Sequence, residues 1–253
     1  MSESVDNWDA HWDRYAASAS QNPAQQMRHR LIIRWMKTQG DERMRLFDIG
    51  CGQGDLLAKV SPQFPSADLL GVELSERGTQ IARQKLPAAK LFATDLLREP
   101  PELEPFFGWA SHAVCSEVLE HVDDPAAFLR IARRYLATDA RIIVTVPGGP
   151  MSAFDRHIGH RQHFDRESIR KVLTDSGFAT EHVSRAGFPF FNVYRALVIA
   201  RGRKLAQDVE GAEGASSGLA RLVMRAFGAL FHLTLPDAPF GWQIVAVGRK
   251  LPT

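Results

Sequence analysis

The sequence predicts an α/β fold built on a doubly wound parallel sheet, and three observations carry that expectation. Strand-like and helix-like runs alternate along the chain from Arg45 to Ser176, the pattern that successive βαβ units leave in a sequence. An apolar run, Leu46-Phe47-Asp48-Ile49, passes directly into Gly50-Cys51-Gly52-Gln53-Gly54-Asp55, as a buried strand does when it turns sharply on glycine and opens a helix. The 253 residues, 45% of them hydrophobic, suffice for one large core with room for an insertion.

In chain order, residues Asn7 to Tyr15 are aromatic and charged, and Asn22-Pro23 marks a turn. Gln25 to Met36 follows with helical spacing of Leu31, Ile32, Trp35 and Met36, so residues 1–40 read as a helical N-terminal cap on a single domain, 1–253. Strands are expected at Arg45–Ile49, Asp68–Glu73, Lys90–Ala93, Ala113–Ser116, Arg141–Val146, Thr180–Arg185 and Gln243–Arg249. Helices are expected at Asp55–Val60, Glu76–Leu86, Pro125–Leu136 and Arg166–Ser176; Pro125 suits a first turn capped by Asp123 or Asp124. Residues 188–241 break the alternation and read as a helical insertion or lid before the last strand. Within it Pro189–Lys204 and Gly218–His232 look helical, and the small, polar, Gly-rich stretch Asp208–Gly218 is expected to be mobile.

Bulk properties exclude several classes. Lys and Arg number 31 against 29 Asp and Glu, which gives no field for gripping a nucleic-acid backbone. Two cysteines, Cys51 and Cys115, make no disulfide framework and read as small buried thiols in a reducing compartment. The N-terminus has no apolar signal core, and no stretch reaches the roughly 18 apolar residues of a spanning helix. The expectation is a cytoplasmic protein without a transmembrane segment.

The block Leu46–Asp55 has the spacing Gly-x-Gly-x-Gly, not the dinucleotide Gly-x-Gly-x-x-Gly, and resembles motif I of the class I S-adenosylmethionine (SAM) methyltransferases. Two further acids follow in order. Glu73 ends the second strand, about twenty residues beyond the glycine loop, where a carboxylate accepts from ribose hydroxyls. Its alternative is a surface acid beside a helix capped by Ser75. Asp95 ends the third strand, placed to accept from an adenine amine with Leu96 against the ring, or else to cap a helix. The fourth strand leads into Glu117-Val118-Leu119-Glu120-His121-Val122, which resembles the corresponding segment of small-molecule, ubiquinone-type O-methyltransferases. The resemblance covers about Leu46 to Gly187. It implies a Rossmann-like seven-stranded sheet of order 3-2-1-4-5-7-6 with the last strand antiparallel. It also implies that Asp48, Gly50, Cys51, Gly52, Gly54, Glu73, Leu74, Asp95, Leu96 and Glu117 meet SAM.

The candidate catalytic residues are Glu117, His121, His160 and His163. His121 is placed to take a proton from an acceptor hydroxyl or, as readily, to shape its own loop. Relatives of the ubiquinone type hold a divalent ion with Glu-x-x-Glu-His, here Glu117, Glu120 and His121; the same letters recur in metal-free relatives, so no metal is assigned. Phe154–Phe164 carries His157, His160 and His163 with Arg156 and Arg161, and Gly159, His160 and Phe164 resemble the Gly-His-x-x-x-aromatic segment of methyltransferases acting on small molecules, lipids or saccharides. The two arginines suit an acceptor carboxylate or phosphate. The reading is SAM-dependent methyl transfer to a small-molecule hydroxyl, on a quinone precursor, sugar or lipid-like acceptor. The alternative is a SAM-binding regulatory or scaffold protein without chemistry. For the insertion, packing on the sheet edge, a lid over an apolar acceptor pocket and membrane-surface contact all stay open.

Overall fold

The computed structural model describes Trp8, Asp9, Trp12, Ser20 and residues 22–36, 43–211 and 218–252, with the backbone alone described for 201–211 and 218–223. Strands β1 (Arg45–Ile49), β2 (Asp68–Glu73), β3 (Lys90–Ala93), β4 (Ala110–Ser116), β5 (Leu136–Pro147), β6 (Phe178–Ala186) and β7 (Gln243–Lys250) form one sheet. Its order is β3-β2-β1-β4-β5-β7-β6. All pairings are parallel except those of β7, which runs antiparallel to β5 and β6. Helices α1 (Pro23–Trp35), α2 (Asp55–Val60), α3 (Glu76–Lys85), α4 (Pro125–Ala132), α5 (Ala153–His157), α6 (Arg166–Asp175), α7 (Phe190–Gly211) and α8 (Gly218–Leu230) complete it.

Strand alternation feeds two cores, because successive side chains point to opposite faces and both faces are covered. Phe47, Ile49, Cys115, Ile142 and Val144 pack on one face, Leu46, Val114, Ile143 and Val245 on the other. The two cysteines are buried free thiols. Strand order reverses between β1 and β4, so the carboxyl ends of these neighbours open the crevice in which ligands of such sheets sit.

Several boundaries differ from expectation. The helix expected to reach Leu136 stops at Ala132 and tightens into a 3-10 turn, Arg133–Tyr135, because Leu136 already belongs to β5. A short helix, α5, lies within the histidine-rich stretch, started by a reciprocal cap between Ser152 and Asp155. Helix α7 runs on to Gly211, so Asp208–Gly211 is helix, and residues 212–217 of the Gly-rich stretch lie outside the described residues. The run Lys204-Leu205-Ala206-Gln207 consists of strong helix formers and carries α7 that far.

The insertion packs against α1. Ala24 and Met27 of α1 form a separate apolar cluster with Phe191 of α7 and Phe227 and Phe231 of α8. Arg30 of α1 also donates to the Phe231 carbonyl at 3.2 Å. The placement on the sheet edge weighed from sequence is thus replaced by a helix layer above the cleft. That choice follows from α1 offering an apolar face that the sheet leaves uncovered.

Candidate active site

One cleft of about 1650 Å³ opens over the carboxyl ends of β1, β2 and β4, and α1, α5, α7 and α8 close it from above. Clefts for a single small ligand run to roughly 300–1,000 Å³, so this one has room for two.

Its first arm is built on the turn between β1 and α2. Gly52 has φ +54°, and a Cβ there would lie 2.6 Å from the Trp12 ring, so both the backbone angle and the space demand glycine. Gly50 and Cys51 both donate to the Val72 carbonyl at 2.9 Å, which ties the turn to β2. Glu73 ties the same turn from its side chain. It accepts from Gly52 N at 2.8 Å and from Ser75 N at 3.1 Å. Burial pushes its carboxyl above the usual range, and the Ser75 and Gly52 N–H groups and the Trp12 indole pull back against that. Ser75 caps α3 as expected, accepting from Gly78 N at 3.0 Å.

Asp48 lies beneath this turn, buried at the end of β1 and on the wall of the cleft. Burial, and then the nearby Glu73, raise its carboxyl to about 7. Its Oδ2 has no hydrogen-bond partner among the described residues, the signature of a group that meets water or a ligand. Asp95 caps the 3-10 turn Leu96–Arg98, accepting from Leu97 N at 3.0 Å, and still faces the cleft beside the buried Leu96 and the exposed Leu74. The cap and the ligand-facing position coexist in one residue. Cys51 also reaches the wall, its thiol held protonated by burial.

Gly54 is different. It does not line the cleft, and a Cβ there would lie 3.0 Å from the Ala82 side chain of α3. The ligand contact expected of it is replaced by close helix packing, because the turn has already entered α2 at that point.

The second part of the cleft is a chamber of acids, imidazoles and arginines. Glu117 follows β4 in a left-handed conformation, φ +57°, a strain that clusters at functional sites. Its carboxylate is held by Gln243 Nε2 at 2.9 Å, by the Thr145 hydroxyl at 3.1 Å and by Arg28 at 3.5 Å. Glu120 is fully buried on the cleft wall, and neither carboxyl oxygen has a hydrogen-bond partner among the described residues. Burial, with Glu117 beside it, drives its carboxyl well above the usual range.

The histidines form a directed chain. His163 Nδ1 lies 3.1 Å from the Gly149 carbonyl, which can only accept. His163 Nε2 is thereby the lone-pair nitrogen facing His160 Nδ1 at 3.2 Å. The same logic leaves His160 Nε2 as a lone pair turned toward Glu120, 4.0 Å away. Burial first, then His121, lower the His160 imidazole to about 3, so it is neutral and only weakly basic. His121 packs edge-on between His160, at 4.8 Å, and Trp8, at 4.9 Å.

This arrangement corrects four expectations. His163 does not line the cleft; it stands behind His160 and orients it. His157 ends α5 on the exposed side, because α5 stops there and no common helical face carries the three histidines. Arg156 is exposed and off the cleft, and Arg161 sits at its rim paired with Asp123 at 2.5 Å. The arginines deepest in the chamber are Arg28 of α1 and Arg195 of α7, which reading the sequence missed; Arg195 reaches Asp155 at 2.9 Å. Arg195 is a lone charge inside the apolar run Phe190–Ala200, and that anomaly was the available signal; Arg28 stands beside His29 and Arg30 and offered none.

Ligand atoms that could converge on a cation come, among the described residues, from Glu120, His121 and His160, or from Asp155, His160 and His163. Glu117 belongs to neither set, since Gln243, Thr145 and Arg28 engage it; the Glu-x-x-Glu-His trio is not assembled as such.

Comparison with known proteins agrees with this architecture. A family model described as a methyltransferase domain matches residues 20–183. The chain is 30% identical over 113 residues to a ubiquinone biosynthesis O-methyltransferase of Neisseria meningitidis, covering 43% of this chain and 46% of that one. It spans about half the length of the curated relatives it matches. Among solved structures, phosphoethanolamine N-methyltransferase 2 of Haemonchus contortus superposes with a TM-score of 0.63 at 15% identity, over 100% of this chain and 62% of that one. Geranyl diphosphate C-methyltransferase of Streptomyces coelicolor gives 0.57 at 13% identity, over 90% and 78%. With the sheet order, the glycine turn and a family model over more than half its length in agreement, the chain belongs to the class I SAM-dependent methyltransferases.

Proposed function

We propose that this protein transfers a methyl group from SAM to a small-molecule acceptor, at a hydroxyl oxygen, inside the chamber bounded by Glu117, Glu120 and His160. The observation that carries this reading is the continuity of one cleft from the glycine turn and Glu73 to the histidine chain. The first arm fits SAM: a floor without Cβ at Gly52, a carboxylate at Glu73 for the ribose, Asp95 and Leu96 for the adenine, and the unpartnered Asp48 Oδ2 beneath. SAM, when bound, supplies an electrophilic methyl group. The chain's own residues do the rest by placement. His160 Nε2 accepts a hydrogen bond from the acceptor hydroxyl and aims its oxygen lone pair, and His163 fixes the imidazole's tautomer. An imidazole held near 3 takes no full proton at neutral pH, so its contribution is orientation. The helix layer of α1, α7 and α8 excludes water from the chamber, and we read the insertion as a lid.

The relative named for ubiquinone biosynthesis supports oxygen as the atom and, within the class of quinone precursor, sugar or lipid-like acceptors, the quinone precursor. A regulatory SAM binder has no need of the chamber of buried acids and imidazoles beyond the first arm. No helix among the described residues is long and apolar enough to cross a membrane. The decisive experiment is titration calorimetry with SAM, followed by mass spectrometry of a metabolite extract incubated with the protein and methyl-labelled SAM. Binding with labelled product supports the proposal; binding without any labelled product favours the scaffold reading, and no binding rejects both.

A further inference from the structure

The cleft has a third region that neither the glycine turn nor the histidine chain uses. It runs between α1, α7 and α8 and is walled by Phe191, Tyr194, Val198, Met224, Phe227 and Trp242. From Phe191 to Val198 the wall follows seven residues of helix, about 10 Å. At the inner end Tyr194 is followed by Arg195, which reaches Asp155 of the chamber at 2.9 Å, so the apolar arm adjoins the polar chamber. At the outer end Leu197 lines the cleft and is 50% exposed. The apolar wall thus ends at an exposed leucine on the cleft's lining.

We infer that this arm holds a hydrocarbon chain of the acceptor, so that the acceptor is an amphiphile with its methylated head in the histidine chamber and its chain between α1, α7 and α8. The inference rests on the methyl-transfer reading above and deepens it. A compact polar acceptor such as a free sugar has nothing to bind in an arm walled by aromatic and aliphatic side chains. A chain laid there takes apolar surface out of water along its whole length, and its affinity rises with each methylene. Tyr194 marks the point where head meets chain.

The test uses the full chain and n-alcohols from butanol to dodecanol, competing against the fluorescent probe 1-anilinonaphthalene-8-sulfonate, with SAM affinity measured on the same samples. Affinity should rise about fourfold per added methylene and level off once the arm is filled. Val198→Arg, which puts a charge in the arm, should abolish that dependence while SAM still binds; Leu197→Ser, a milder change at the mouth, should shorten the chain at which affinity levels off. Affinity independent of chain length in protein that binds SAM overturns the inference and leaves methyl transfer standing. Loss of SAM binding in the wild-type chain overturns the methyl-transfer reading and the inference with it. Flotation with phosphatidylcholine–phosphatidylglycerol vesicles separates the source of the chain: co-flotation assigns an acceptor resident in a bilayer, and its absence with the chain-length dependence intact assigns a free amphiphile.

Discussion

The backbone N–H of Gly52 donates to Glu73 Oε2 at 2.8 Å, so the acid proposed to hold the cofactor's ribose also fastens the turn that forms the cofactor's floor. Ser75 N takes the other oxygen at 3.1 Å. Replacing Glu73 with Ala therefore removes the ribose partner and loosens the turn together. SAM affinity should fall by at least tenfold, since charge-assisted bonds contribute roughly 1.5–3 kcal/mol each. Glu73→Gln keeps one acceptor and should fall less. Calorimetry with both variants checks the ranking; equal affinities in wild type and Glu73→Ala would remove Glu73 from the site.

Gly52→Val places a branched side chain at φ +54° and drives its Cβ to within 2.6 Å of the Trp12 ring. The left-handed angle alone costs about 1–2 kcal/mol. The variant should melt several degrees lower and bind no SAM. Adding Trp12→Ala relieves the contact but leaves the backbone strain, so the double variant should recover part of the melting temperature and none of the binding.

Asp48 links stability to pH. Its carboxyl rises from an ordinary 3.8 to about 7 in the folded chain, so between those values the folded state holds a proton that the unfolded state has released. That contribution is complete below pH 4 and is lost as pH rises toward 7, with a slope of at most about 1.4 kcal/mol per pH unit. His160 acts in the opposite sense. Its imidazole falls from 6.5 to about 3, so stability is lost as pH falls below 6.5. Between pH 4 and 6.5 the two oppose one another, so Asp48→Asn should make stability rise more steeply with pH over that window, and His160→Ala should leave the Asp48 decline exposed. Urea titrations across that range measure it.

His160→Ala should leave SAM affinity within a few-fold and, through lost positioning of the acceptor hydroxyl, lower turnover by roughly 10²-fold. His163→Ala should cost less, because it acts by orienting His160 and does not line the cleft. With His160 already neutral, kcat should not fall through a His160 protonation between pH 7 and 5. A single-proton loss of kcat near pH 6.5 that disappears in His160→Ala would contradict the assigned state.

Chelation separates placement from metal catalysis. Neither convergent set includes Glu117, and the second uses Asp155, which Arg195 already engages. EDTA should leave turnover within twofold of the untreated enzyme. A strict requirement for magnesium or manganese, lost in Glu120→Gln, would instead make Glu120, His121 and His160 a metal centre.

Much of the scaffold was legible before any coordinates. The first three strands fall at the expected residues, and β4 through β7 contain the expected ones, because strands buried on both faces read as short continuous apolar runs bounded by turn residues. The place of Asp48, Glu73 and Asp95 on the cleft wall was legible for a related reason: each stands at or near the end of a strand, and those ends form the wall. The sequence by itself thus determined the sheet, the glycine turn and the first arm of the cleft. Only the tertiary structure decided the rest. Arg28 and Arg195 enter the chamber because α7 and α8 cover α1, a contact between residues nearly two hundred positions apart that no local pattern encodes. Gly54 and His163, equal to their neighbours as letters, were turned away from the cleft by the packing of α3 and by the Gly149 carbonyl. Which side of a turn or helix meets the ligand depends on what covers the other side, and that is a property of the assembled layers.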